Sequence, residues 1–115
     1  MLVSSSRIEY EPLRSIGFAS LSGAYAGVGM PFANPVKILK VTNLTDAALL
    51  VSFDGVTDMD VVPAMGAYVY DYSTNKTDAA GLLEQPTGKR LYVKEELTAA
   101  TVGTCYVTVI YASQV

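Results

Sequence analysis

Apolar and polar residues alternate with a period of two along much of the chain, which is the signature of strands with one covered face. Val36-Lys-Ile-Leu-Lys-Val-Thr-Asn43 places Leu39 and Val41 on one face, and Ala48-Leu-Leu-Val-Ser-Phe53 does the same for Leu49, Val51 and Phe53. Leu44, Thr45, Asp46 and their neighbours join the two runs over a length that suits a hairpin. Asp54-Gly55 is a turn signal that ends the second strand. After Pro63, Ala67-Tyr-Val-Tyr-Asp-Tyr72 predicts a further strand with Tyr68, Tyr70 and Tyr72 on one face. Arg90-Leu-Tyr-Val-Lys94 predicts another, and the run Val102 to Ala112 closes the series. That last run is the longest and most β-branched, so it is expected in the centre of a sheet. Asn75 to Glu84 is the one stretch that reads as a helical turn, kept short by Gly81.

The first third of the chain has a different texture. Leu13 to Met30 is rich in Gly, Ala and Ser. Each glycine costs about 1 kcal/mol in a helix relative to alanine, so short strands with tight bends are expected. Pro31, Asn34 and Pro35 mark a break before the regular strands. Residues 1–12 lack periodicity and are expected to form an extended N-terminal arm, with a frayed terminus as the alternative. Residues 13–115 are then one domain. Seven or eight short strands separated by turn signals predict an all-β fold, a β-sandwich or jelly roll. A partly open barrel and a folded meander are the alternatives.

Composition narrows the function. A chain of 115 residues suits one domain. Half of it is hydrophobic and only 17% is charged, below the average of about 25% for soluble domains. So few charges leave part of a small domain's surface apolar, which usually marks contact with another protein. The net charge is −3 and the eight Lys and Arg residues are scattered, so the clustered basic footprint of a nucleic-acid binder is missing. No apolar run reaches the ~18 residues of a membrane span, and the first residues lack the pattern of a secretory signal. No nucleic-acid or membrane partner is expected.

The chemistry-bearing residues are sparse. Cys105 is the single cysteine and there is no histidine, so the common zinc sites and nucleophile–histidine pairs are excluded. Cys105 shares a strand face with Val107, Val109 and Tyr111 and is expected to behave as a small buried hydrophobe. Asp54, Asp58 and Asp60 could offer oxygen ligands to a hard cation, but their spacing fits a plain turn better than a calcium loop. Glu95 and Glu96 are adjacent and would point to opposite faces of a strand, unlike a catalytic carboxylate pair across a cleft. Gly27-Val-Gly29 lacks the context of a phosphate-binding loop. No catalytic residue, cofactor or metal is predicted, and the chain is expected not to be an enzyme. The tyrosine face of residues 67–72 is either core or contact surface, with at least two of its three tyrosines expected in the core.

The segments Leu39-Lys-Val-Thr-Asn-Leu-Thr-Asp46, Leu50-Val-Ser-Phe-Asp-Gly-Val-Thr-Asp58 and Val62-Pro-Ala-Met-Gly-Ala-Tyr-Val-Tyr-Asp-Tyr72, followed by Leu91-Tyr-Val-Lys94 and a long last strand, give residues 36–112 a recognisable pattern. It resembles small virion proteins of tailed bacteriophages, and most nearly the capsid cement, or decoration, proteins of short-tailed phages. The resemblance implies a jelly-roll-like fold and a homodimer. It also implies a non-enzymatic role on the capsid exterior after assembly in the host cytoplasm. The implied partner is the major capsid protein of a phage shell, whose neighbouring subunits the chain would staple together. A head–tail connector or tail component is the alternative within the virion, and a carbohydrate- or ligand-binding β-sandwich is the alternative from another class. Expected partner contacts are Leu2, Val3, Ile8 and Tyr10 of the arm, with Tyr68, Tyr70 and Tyr72.

Overall fold

A strand buried on one face needs a second layer to cover that face, and here the strands supply it for one another. The structure, a computed structural model, describes residues 6–72, 76–77, 81–82 and 85–114. Its strands are β1 (Ser6–Tyr10), β2 (Arg14–Gly17), β3 (Ala26–Gly27), β4 (Val36–Asn43), β5 (Leu49–Ser52) and β6 (Asp60–Val62). They continue with β7 (Ala67–Asp71), β8 (Lys76–Thr77), β9 (Gly81–Leu82), β10 (Tyr92–Glu95) and β11 (Thr104–Gln114). A 3-10 turn, Phe18–Ser20, follows β2.

Two antiparallel sheets pack face to face as an all-β sandwich. One has the order β1–β11–β4–β7, with β2 on the same edge of β11 as β1. The other has the order β3–β10–β5–β6. Apart from the β5–β6 hairpin, each step from β2 through β7 and on to β10 and β11 crosses between the sheets. That winding is the double Greek key of a jelly roll. The small β8–β9 pair lies outside both sheets. As expected from its composition, β11 is central, with β4 along one side and β1 and β2 along the other.

The core lies between the sheets. Leu39 and Val41 of β4, Leu49 and Val51 of β5, Val93 of β10 and Cys105, Val107 and Val109 of β11 are fully buried. Each such aliphatic side chain contributes roughly 1.5–3 kcal/mol by leaving water. Phe53 is half-buried and packs against the same cluster.

Two expectations are corrected. The runs joined by Leu44-Thr45-Asp46 do not pair as a hairpin: β4 and β5 belong to different sheets, and the loop is an arch between layers. Loop length cannot tell a hairpin from an arch. Buried Asn43 makes the difference, because its side chain supplies the hydrogen bonds that a hairpin partner would have given. Its Nδ2 donates to the carbonyls of Ala47 (2.8 Å), Val62 (3.2 Å) and Pro63 (3.1 Å). Its Oδ1 accepts from the backbone N–H of Thr45 (3.0 Å) and from the Thr45 hydroxyl (2.7 Å). The second correction concerns the helical turn over Asn75 to Glu84. Where that segment is described it is extended, Lys76 pairing with Leu82 and Thr77 with Gly81. The glycine expected to shorten a helix instead sits in a strand, beside a β-branched threonine.

Among the described residues the arm of residues 1–12 is a strand. Residues 6–10 pair with 110–114 of the chain's own β11, in a register running from Ser6 opposite Gln114 to Tyr10 opposite Ile110. Pairing resumes at Arg14 opposite Val107, so Glu11, Pro12 and Leu13 span only Thr108 and Val109. This is a β-bulge, and Pro12, which has no N–H to offer, occupies it.

Candidate functional site

The bulge determines which side chains of the first strand face inward. Glu11 donates its backbone N–H to the Val109 carbonyl at 3.0 Å and shares the inward face of that residue. Counting back by twos puts Glu9 and Arg7 on the same face and leaves Tyr10 and Ile8 on the other. The usual polarity is thereby inverted. Ile8 is 60% exposed and Tyr10 67% exposed, whereas Glu11 is buried.

Glu11 is tolerated inside because every oxygen is hydrogen-bonded. Its Oε1 accepts from Arg14 Nη2 at 2.6 Å. Its Oε2 accepts from the backbone N–H groups of Ala33 (3.1 Å) and Asn34 (2.9 Å) and from Asn34 Nδ2 (2.9 Å). Burial pushes the Glu11 pKa up, but the bonds from Arg14, Asn34 and Ala33 and the Arg14 charge outweigh it and hold the carboxyl below the usual range. Arg14 is buried too. Its Nε donates to the Met30 carbonyl at 3.1 Å, and its guanidinium carbon lies 5.4 Å from the centre of the Phe32 ring. Among the described residues its Nη1 has no hydrogen-bond partner. The aromatic face below the cation offsets part of that cost. Gly29, with φ +71°, passes so close that a Cβ would lie 2.6 Å from Arg14 Cγ. The ion pair thus fastens the loop of residues 28–35 to the first strand.

Above this pair lies a cleft of about 480 Å³ lined by Tyr10, Pro12, Leu13, Met30, Pro31 and Tyr111, among others. Leu13 is exposed, and Met30 is 76% exposed. The rim is therefore apolar while the floor carries a neutralised charge pair.

A second apolar surface lies at the other end of β4. The cleft loop precedes β4 and the Leu44 arch follows it. Along β11 the cleft runs from the level of Arg14, opposite Val107, to Tyr111, while the arch meets Thr104, so three to seven residues, roughly 10–23 Å at ~3.3 Å per residue, separate the two. Leu44 donates its N–H to the Thr104 carbonyl, and Phe18 donates to Gly103, each at 3.0 Å. Asp46 accepts from the backbone N–H groups of Thr101 (2.8 Å) and Val102 (3.3 Å) and from the Thr101 hydroxyl. Gly103, at φ +97°, is needed there because a Cβ would collide with the Leu44 carbonyl. These bonds hold together loops that present Leu44, Val102 and, at 88% exposure, Leu97. The sequence reading missed this tip, since nothing local says that loops so distant in the chain share one end.

The tyrosines divide. Tyr70 and Tyr68 lie opposite Leu39 and Val41 and so share the core-facing side of the sheet, but β7 is an edge strand and covers them incompletely. Tyr70 is half-buried, packs edge-on to Phe53 with ring centres 6.4 Å apart, and donates its hydroxyl to Asp60 Oδ2 at 2.5 Å. Burial, with that bond and the Asp60 charge, raises its pKa. Tyr72 is half-buried and accepts from Gln85 Nε2 at 3.3 Å, while Tyr68 is exposed. Leu2 and Val3 lie outside the described residues. Tyr10 lines the cleft, Ile8 lies beyond it on the same face of β1, and the β7 tyrosines form a separate edge.

Asp54, Asp58 and Asp60 are each occupied separately. Asp54 Oδ1 accepts from the N–H groups of Val56 (2.8 Å) and Thr57 (2.7 Å) and from the Ser52 hydroxyl (2.7 Å), which closes the turn. Asp58 Oδ1 accepts from the Tyr25 hydroxyl at 2.6 Å and pairs with Lys94 at 3.3 Å. Among the described residues no cluster of three or more Asp, Glu, Cys or His side chains is placed to hold a metal. Cys105 is fully buried, and burial pushes its thiol up to about 11. The chain matches no protein-family model, no curated protein and no solved structure.

Proposed function

We propose that this chain is a non-enzymatic virion structural protein of the capsid cement type, bridging neighbouring major capsid subunits of a phage shell. The observation that carries this reading is a pair of separate exposed apolar surfaces, one beside residues 107–111 of β11 and the other at the loop end where Leu44 meets Thr104. One is the cleft rim with Tyr10, Leu13 and Met30, and the other is the tip with Leu44, Leu97 and Val102. A bridge needs two contact surfaces on a stiff spacer, and a closely packed sandwich is such a spacer. The jelly-roll winding agrees with the resemblance of residues 36–112, although a fold by itself does not assign a function. The mechanism is added contact area across subunit boundaries. Binding the assembled shell and not its separated subunits stabilises the shell by mass action.

The test is to add the purified chain to shells that lack it, then measure occupancy and the temperature at which the shells open. Occupancy across the whole lattice with a raised opening temperature supports cement. A single ring at one vertex supports the connector reading, and no binding removes both. The cleft supports a second reading, because its volume lies within the roughly 300–1,000 Å³ of small-ligand sites. Binding of a glycan or other small molecule at Leu13 and Met30 by the isolated domain would favour a ligand-binding sandwich.

A further inference from the structure

Among the described residues the outer edge of β1 has no strand partner, and its sequence is complementary to itself. We propose that this edge pairs with the same edge of a second copy, antiparallel and centred on Ile8, to make a two-fold symmetric dimer with one continuous sheet. The inference rests on the geometry of β1 and not on capsid binding, so either can fail without the other.

The backbone comes first. Glu11 donates to Val109, so residues 11, 9 and 7 are the ones whose N–H and C=O groups point towards β11 in the antiparallel ladder. The groups of Ser6, Ile8 and Tyr10 point the other way, towards the open edge. Two copies meeting about a two-fold axis at Ile8 place Ile8 opposite Ile8 and Ser6 opposite Tyr10. All three positions then form hydrogen-bonded pairs, and the outward groups of both edges are satisfied together.

The side chains agree with that register. Arg7 of each copy falls opposite Glu9 of the other, in the non-hydrogen-bonded positions where side chains approach most closely. A lattice of like charges would block such an edge, but here opposite charges meet twice by symmetry. On the other face the two Ile8 side chains lie together, which covers a residue that is 60% exposed in the single chain, while Tyr10 stays at the cleft. The bulge at Glu11 to Leu13 ends the pairing at Tyr10. The surface covered is small for a permanent dimer, so dissociation in the micromolar range is expected.

The experiment uses the full chain in analytical ultracentrifugation over a micromolar concentration series, with melting temperatures as a folding control. The wild type is expected to dimerise. Arg7→Glu alone and Glu9→Arg alone each place like charges opposite one another, and each is expected to raise the dissociation constant at least tenfold. A mixture of the two single variants is expected to restore a dimer, because the all-acidic edge then meets the all-basic one. The double variant Arg7→Glu, Glu9→Arg is expected to restore it as well. A wild type that stays monomeric at one hundred times the protein concentration of a typical assay (about 100 μM, in the regime of weak interfaces) would overturn the proposal. So would a dimer that neither single variant weakens, or one whose loss neither pairing of opposite edges repairs.

Discussion

Arg14 Nη2 lies 2.6 Å from Glu11 Oε1, across a β-bulge and beneath the rim of the apolar cleft. The pair joins three pieces of chain: the N-terminal strand, the loop of residues 28–35 and, through the Glu11 N–H, the central strand β11. The carboxylate is the hub, since it accepts four hydrogen bonds. The arginine is the lid, since it covers Phe32 and reaches the Met30 carbonyl.

Glu11→Ala is expected to destabilise the fold by about 3 kcal/mol, because it strands a buried guanidinium. Chemical denaturation at neutral pH measures this. The folded pKa of Glu11 lies below its ordinary value of 4.5, so its stabilisation is complete above that value and is lost as the pH falls through the folded pKa. The stability gap between wild type and Glu11→Gln should therefore narrow in acid. A gap that stays constant from pH 7 down to about pH 2, below the range of ordinary carboxylates, would show that the carboxylate charge is irrelevant.

Asn43→Ala is expected to cost about 3 kcal/mol, because three carbonyls and the Thr45 groups lose a partner in the buried arch. Asn43→Asp keeps the acceptor oxygen and removes the donor, so it should cost at least as much. Urea midpoints of the two variants check this. A shift as small as that of a surface substitution would mean that water can replace the side chain.

Cys105 should resist thiol reagents in the native protein and label promptly in denaturant, since its burial disfavours the thiolate. Rapid stoichiometric labelling without denaturant would place the inner face of β11 in contact with solvent.

Chelators should leave the melting temperature unchanged, because Asp54, Asp58 and Asp60 are engaged with backbone, serine, tyrosine and lysine partners. A drop reversed by added calcium would overturn the structural reading of this turn.

Truncation of the first strand must spare Glu11. Removing residues 1–10 is expected to leave a folded domain that is retained poorly on particles after washing, since Tyr10 of the cleft rim goes with it. Removing Glu11 as well should also lower the melting temperature, by the loss of the buried pair. Undiminished retention of the shorter truncation would confine shell contacts to the tip and the β7 edge.

The strand-forming parts of this protein are legible one residue at a time. Alternation of Leu39 with Val41, of Leu49 with Val51 and of Cys105 with Val107 and Val109 identifies the inner faces, because side-chain direction in a strand depends only on parity. The length and β-branching of residues 102–112 likewise imply a central position. Other properties depend on partners far away in the chain. Whether Leu44 to Asp46 turns a hairpin or an arch is decided by the carbonyls of Val62 and Pro63 reaching Asn43. Whether Ile8 and Tyr10 face the core or the solvent is decided by the register against β11 and by the bulge at Pro12, since a shift of one residue would reverse every side chain. Glu11 reads as an ordinary arm residue until Ala33 and Asn34 are brought to it. Sequence alone determined that this chain is a set of strands with apolar faces, because that follows from local chemistry. Tertiary structure alone decided which faces stayed uncovered, because exposure is a property of the neighbours a strand acquires.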